Sequence, residues 1–268
     1  MNQRKVKVRE LAAWGFDDYK YRCSAQHPTS HFIAQPNLFH QSEVVLAQQT
    51  AEIADLLLPQ SHRADLLAEM RGLQWSLGVI DLRGLLAFQR RLSFDPALPP
   101  TQTPAAGDWP SLIDLAFGPT KSPGCTSIPN TANSTLTLES TNPNLHIRTS
   151  TDSSAPFSIH AGGPFFEVAS FCNRWFLRDG YHRAYTLLRA GVYAVPAVIV
   201  QARTLEELGA TQPWFFPKDI LFSDHPPYVS DFLDDALVLK YERSPLIKKI
   251  RITIEESLTP ALPTGEQP

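Results

Sequence analysis

The chain has 268 residues, 43% of them hydrophobic and 19% charged, with a formal net charge of −3. That length suits one large domain or a domain with a substantial extension, and the charge balance leaves no basic field to hold duplex DNA nonspecifically. Cys23, Cys125 and Cys172 are odd in number and scattered, which argues for reduced thiols in a cytoplasm rather than a disulfide framework. The start, Met1–Lys5, lacks the apolar core of a signal peptide, and no apolar run approaches the roughly 20 residues of a membrane span. A soluble cytoplasmic protein is expected.

Residues 1–95 read as a mostly helical region packed on a core that lies later in the chain. Val6–Tyr21 suggests a short strand followed by a helix around Glu10–Trp14. Cys23, His27, His31 and His40 lie in a polar loop. Pro28 works against the helix that would gather them for a metal, so surface histidines are the better account. Ser42–Met70 reads as helix in two pieces broken at Pro59, with Ser61 capping the second. Trp75–Ile80 is strand-like. In Asp81–Leu92 the spacing of Leu82, Leu85, Leu86 and Phe88 predicts an amphipathic helix, whose Arg83, Arg90 and Arg91 either extend an anion site or form a solvated face.

Residues 96–160 are rich in Pro, Ser, Thr and Asn, the profile of an insertion. Thr135–Glu139 and Leu145–Thr149 alternate apolar and polar residues as the two strands of a hairpin would. Gly118–Ser122 ends like a phosphate loop but lacks its leading glycine spacing.

Residues 161–256 carry the clearest local signals. Phe165–Ala169 and Arg174–Arg178, joined by Ser170–Asn173, predict a hairpin. Asp179-Gly180 breaks the second strand, and a helix begins at about Tyr181, with Ala184, Leu187 and Leu188 on one apolar stripe and Gly191 at its end. Val195–Val200 then reads as a buried strand, with Pro196 near its start. His182 and Arg183 fall in the first turn of the helix, where cations are unfavourable unless an anion joins them. Two readings stand side by side: a phosphate site, or an Arg183–Asp179 pair with a capped surface histidine.

Downstream, Thr204–Leu208 reads as one helical turn, and Pro213–Pro217 as an aromatic loop that stacks on a base or plugs the core. Asp231, Asp234 and Asp235 are candidates for a magnesium ion beside a nucleotide, against the commoner reading as helix-start carboxylates. Ile247–Glu255 alternates as an amphipathic strand, and 257–268 reads as a disordered tail.

The run Arg174–Ala184, RWFLRDGYHRA, followed by Gly191–Pro196, resembles the core of the ParB/sulfiredoxin-like superfamily over roughly residues 164–201. The resemblance implies an α+β fold, a mixed sheet with helices packed on it. It also implies a strand-to-helix turn that holds nucleotide phosphates: CTP in the chromosome-segregation proteins, ATP in sulfiredoxin, ADP in a free-serine kinase. On it, Gly180, His182 and Arg183 carry over as phosphate-contacting positions, with Asp179 and Tyr181 beside them in the turn. Tyr181 stands where sulfiredoxin needs its cysteine, so sulfinic acid reduction is not expected. The helix-turn-helix of the segregation proteins has no counterpart after the core. In the kinase-like branch a glutamate upstream of the turn acts on the substrate hydroxyl, and Glu167 is the nearest candidate. The expected function is binding of ATP or CTP, with optional magnesium, through this turn. It takes one of two forms: phosphotransfer or hydrolysis with His182 and Glu167 as catalytic groups, or a nucleotide-gated module for a protein partner or second copy without turnover.

Overall fold

The computed structural model describes residues 5–15, 35–96, 102–119, 124–142, 145–149, 157–160 and 164–258. In chain order the elements are β1 (Val6–Leu11), α1 (Ala47–Glu52), α2 (Ala54–Ser61), α3 (Ala64–Glu69), β2 (Trp75–Asp81), β3 (Leu86–Ala87), β4 (Arg91–Phe94) and α4 (Trp109–Ala116). Then follow β5 (Thr126–Asn130), β6 (Thr135–Ser140), β7 (His146–Thr149), β8 (Phe157–His160), β9 (Glu167–Phe171), β10 (Arg174–Asp179) and α5 (Tyr181–Arg189). The last are β11 (Ala194–Gln201), α6 (Leu205–Leu208), α7 (Lys218–Leu221), β12 (Val238–Arg243) and β13 (Lys248–Thr253). The class is α+β. Contacts divide the chain into two units: Met1–Lys121 with Gly163–Pro245, and Ser122–Gly162 with Leu246–Pro268.

The first unit is organised on a five-stranded mixed sheet in the order β2-β11-β9-β10-β3. Strand β11 is its spine. Val195–Val200 are all buried, as a strand covered on both faces must be. Pro196 lies opposite Val79 of β2, in the stretch before β11 meets β9 at Val198↔Glu167, so its missing N–H breaks no ladder on that side. The β9–β10 hairpin closes through a two-residue turn with positive φ at Cys172 (49°) and Asn173 (59°), the backbone that matches the twist of paired strands. Helix α5 then links the end of β10 to the start of β11. A second sheet, β12-β1-β4, is antiparallel throughout. Within it the fully buried Glu10 is paired with Arg91 at 3.1 Å and accepts from the Tyr241 hydroxyl at 3.0 Å.

The second unit holds a three-stranded sheet, β13-β6-β5, and the two-stranded β7-β8. Leu136 and Leu138 of β6 lie opposite Ile252 and Ile250 of β13.

Several elements differ from the sequence reading. Among the described residues of 1–95 there are four strands, and the α-helical part is confined to 47–69, in three short pieces. Its first strand finds partners more than 80 and 220 residues away, which local periodicity does not report. The helix expected over Asp81–Leu92 is a 3₁₀ turn at Leu82–Gly84, capped by Asp81, followed by β3 and β4. Its leucines are buried because β10 and β1 take the backbone into sheets. Pro59 lies inside α2, and the chain breaks instead at Ile53 and at His62–Arg63, so Ser61 ends α2 rather than capping α3. The two insertion strands exist but do not pair with each other: β6 joins β5 and β13, and β7 joins β8. Cys23, His27, His31, the end of the Gly118–Ser122 segment and tail residues 259–268 lie outside the described residues. Among the described residues no helix is long and apolar enough to cross a membrane.

Candidate functional site

Gly180 makes the strand-to-helix turn. Its φ is +104°, and a Cβ there would stand 2.8 Å from the Phe166 ring, so glycine is required by both backbone and packing. Beyond it, helix α5 opens with the backbone N–H groups of Tyr181, His182 and Arg183. Among the described residues none accepts from them. Asp179 is the carboxyl already beside this helix end, its Oδ1 accepting from Gly180 N at 2.6 Å. Burial raises the Asp179 carboxyl above its ordinary range, against the pull of Arg183 and the Gly180 N–H.

The side chains of the turn are engaged elsewhere. Tyr181 is buried, its hydroxyl accepting from Phe88 N (3.1 Å) and Gln89 N (3.3 Å), and its ring meets Phe88 and Phe232 edge-on. Burial raises its phenol well above the usual value. His182 Nε2 lies 3.0 Å from Ser93 O, and a carbonyl only accepts, so Nε2 carries the proton. Desolvation lowers its pKa, opposed by that hydrogen bond and aided by Arg183, and the neutral ring stands edge-on to Phe94. Arg183 spends its fork on three backbone carbonyls. Nη1 donates to Leu115 O (2.9 Å) and Pro164 O (2.6 Å), and Nη2 to Phe165 O (2.6 Å). Leu115 lies in the last turn of α4, so Arg183 is the cation at that helix's negative end. Arg63 joins it there, donating to Phe117 O and to Gly118 O.

Glu167 begins β9 directly beside Asp179. The strand register slips between Leu177 and Asp179, and the extra residue, Arg178, pairs with Glu167 through Nη1–Oε2 at 2.7 Å. Glu167 is only 4% exposed, and burial pushes its carboxyl up to about 7; Arg178 opposes the shift, and Asp179 and Glu69 add to it. Three carboxylates, Glu167, Asp179 and Glu69, thus share one neighbourhood with the guanidiniums of Arg178 and Arg183.

No family model, curated protein or solved structure matches this chain.

The turn residues Asp179–Arg183 and Glu167 are therefore brought together, whereas the other candidates are dispersed. Arg83 forks onto Asp81 under the Tyr193 ring. Arg90 stacks on Phe216 at 4.2 Å and donates to Gly15 O, and Arg91 is held by Glu10. Asp231 is buried and accepts from Tyr228 N at 2.7 Å as the cap of a 3₁₀ turn, while Asp235 pairs with Arg9 and Lys240. Among the described residues no group of three or more His, Cys, Asp or Glu is arranged to hold a metal ion. In the aromatic loop Phe216 is buried and Phe215 lies 5.0 Å from Phe88, while Trp214 remains exposed. Ser93 and Leu115, whose carbonyls hold His182 and Arg183 in place, left no signal in the sequence, because any residue can supply a backbone carbonyl.

Proposed function

We propose that the first unit binds a nucleotide, ATP or CTP, with its phosphates at the N-terminus of α5. The observation that supports this most directly is the trio of backbone N–H groups at Tyr181, His182 and Arg183, open beyond a left-handed Gly180. Such groups converge on one point and carry the positive end of the helix dipole, the arrangement that suits a phosphate. The ParB/sulfiredoxin-like fold belongs to the same proposal. It is supported by a mixed sheet in which one helix runs from a hairpin strand into a buried central strand.

Binding without turnover is the favoured form, with the nucleotide gating contact with a protein partner or a second copy. His182 offers a neutral ring with Nε2 bound to Ser93 O, and Glu167 is held by Arg178 away from solvent. Neither contact suits a group that must take a proton from a substrate hydroxyl. In the enzymatic form these two residues are the catalytic pair, and magnesium accompanies the nucleotide. Titration calorimetry with ATP, ADP, CTP and GTP plus magnesium, then product analysis, tests the reading. Binding by wild type and its loss in Arg183→Ala are expected. Release of γ-phosphate turns the assignment to an enzyme, and no binding of any of the four rejects it.

A further inference from the structure

Apart from the α5 turn, the first unit has a cavity of about 380 Å³ whose walls come from three stretches, 37–43, 81–84 and 228–230. That size suits a small molecule. None of the turn residues lines it. The walls are tied to their surroundings and to one another. Phe39 N donates to Asp224 O at 2.7 Å, His40 N to the Tyr228 hydroxyl at 3.0 Å, and Asp81 N to Val44 O at 2.8 Å. Gly84 allows the closest approach: a Cβ there would stand 2.5 Å from Ser42 Oγ and 2.8 Å from Val44 Cγ2.

Three polar groups of the lining have hydrogen-bonding capacity left over. Tyr228 is only 8% exposed and its hydroxyl accepts from His40 N, yet among the described residues nothing accepts its proton. A buried tyrosine hydroxyl ordinarily finds such an acceptor. Arg83 meets Asp81 through Nε and Nη2, which leaves both N–H groups of Nη1 available. Glu43 has no hydrogen-bond or ion-pair partner for its carboxylate among the described residues. With Glu43 and Asp81 set against Arg83, the lining carries more negative than positive charge and disfavours an anion. A neutral ligand has to accept from Tyr228 and Arg83 and donate to Glu43. Hydroxyl groups do both. Leu38 and the Tyr228 ring supply apolar surface for a carbon skeleton. We propose that this cavity binds a small neutral polyol, a monosaccharide or cyclitol, through the Glu43 carboxylate, Arg83 Nη1 and the Tyr228 hydroxyl. Nucleotide binding at α5 neither requires this site nor is required by it.

Saturation-transfer NMR and titration calorimetry on the full chain, with D-glucose, D-galactose, D-ribose and myo-inositol as probes, test this site. At least one should bind with a Kd on the order of 1 mM. Glu43→Gln and Arg83→Gln should each weaken that probe about tenfold, the effect of losing a hydrogen bond to a charged group. Both side chains lie at the surface, Arg83 with 62% of its side chain exposed, so these variants should keep the fold. Folded Arg183→Ala should bind the probe as wild type does. Failure of all four probes to bind overturns the site, and unaltered affinity in both the Glu43 and Arg83 variants overturns its placement in this cavity. Binding of glycine or succinate in preference to the polyols overturns the ligand class.

Discussion

Two arginines in the first unit do the same work in different surroundings. Arg174 donates from Nη1 to Leu221 O and Ser223 O and from Nη2 to Phe222 O, closing the end of α7, much as Arg183 closes α4. Each fork satisfies three carbonyls that no helix bond reaches. Around Arg174 the neighbours are the Phe39 ring at 4.0 Å and Phe222 at 5.5 Å, an apolar sleeve. Around Arg183 they are the Phe166 ring at 5.5 Å and the carboxyls of Asp179 and Glu167. Three carbonyls on a fork thus mark a structural clasp, and Asp224 and Tyr228 lie near the first one too; only the second clasp stands beside the start of a helix and a carboxyl raised by burial to about 7. The difference locates the candidate site better than the arginine itself does.

The most damaging way to break the comparison is at Gly180. Gly180→Ala forces a Cβ onto the Phe166 ring and a strained φ, so unfolding free energy should fall by about 4 kcal/mol, read by urea denaturation. Next come the two clasps. Arg174→Gln and Arg183→Gln should each cost about 3 kcal/mol, because each frees three carbonyls from a charged donor, yet only the second should abolish nucleotide binding. A matched loss of binding in both would make the site an indirect effect of stability.

Arg174 has Asp224 near it, but the buried carboxyl raised to about 7, Glu167, lies beside Arg183, and pH isolates it. The folded Glu167 carboxyl titrates at about 7 against 4.5 when unfolded, so the folded state holds the proton more tightly. Its contribution to stability is fully present below the unfolded pKa and is lost as pH rises through about 7, at about 1.4 kcal/mol per pH unit between the two values. Urea midpoints from pH 5 to 8 should show this slope in wild type, relative to a Glu167→Gln variant that lacks it; parallel curves would contradict the burial argument. The smallest effect is at the hairpin. Asn173→Gly relieves a positive φ and should stabilise by about 0.5 kcal/mol in a thermal melt.

How much of this was legible depended on where each residue's partners lie. The β9–β10 hairpin, Gly180, α5 and β11 are specified by neighbours: a short connection, read as Ser170–Asn173 and narrowed by the structure to Cys172-Asn173, a glycine that must turn left-handed, a helical stripe and an unbroken apolar run. All were readable. Leu82, Leu85 and Leu86 have the spacing of a helix, yet the backbone there is drawn into two sheets by Phe176 and Glu10, far along the chain in opposite directions. Asp179–Arg183 and Glu167 were picked out, but the engagement of Arg183 was not, because its acceptors are backbone carbonyls 18, 19 and 68 residues away with no side-chain signature. Glu167 shows the same limit: its raised pKa depends on a bulge that turns Arg178 onto it and on a third carboxylate from α3.

The central claim is that the N-terminus of α5 holds nucleotide phosphates. Titration calorimetry of ATP and CTP with magnesium into wild type, Arg174→Ala and Arg183→Ala tests it most directly. Wild type and folded Arg174→Ala should bind, and folded Arg183→Ala should not. Absence of binding to wild type, or equal affinity in the two variants, would contradict it.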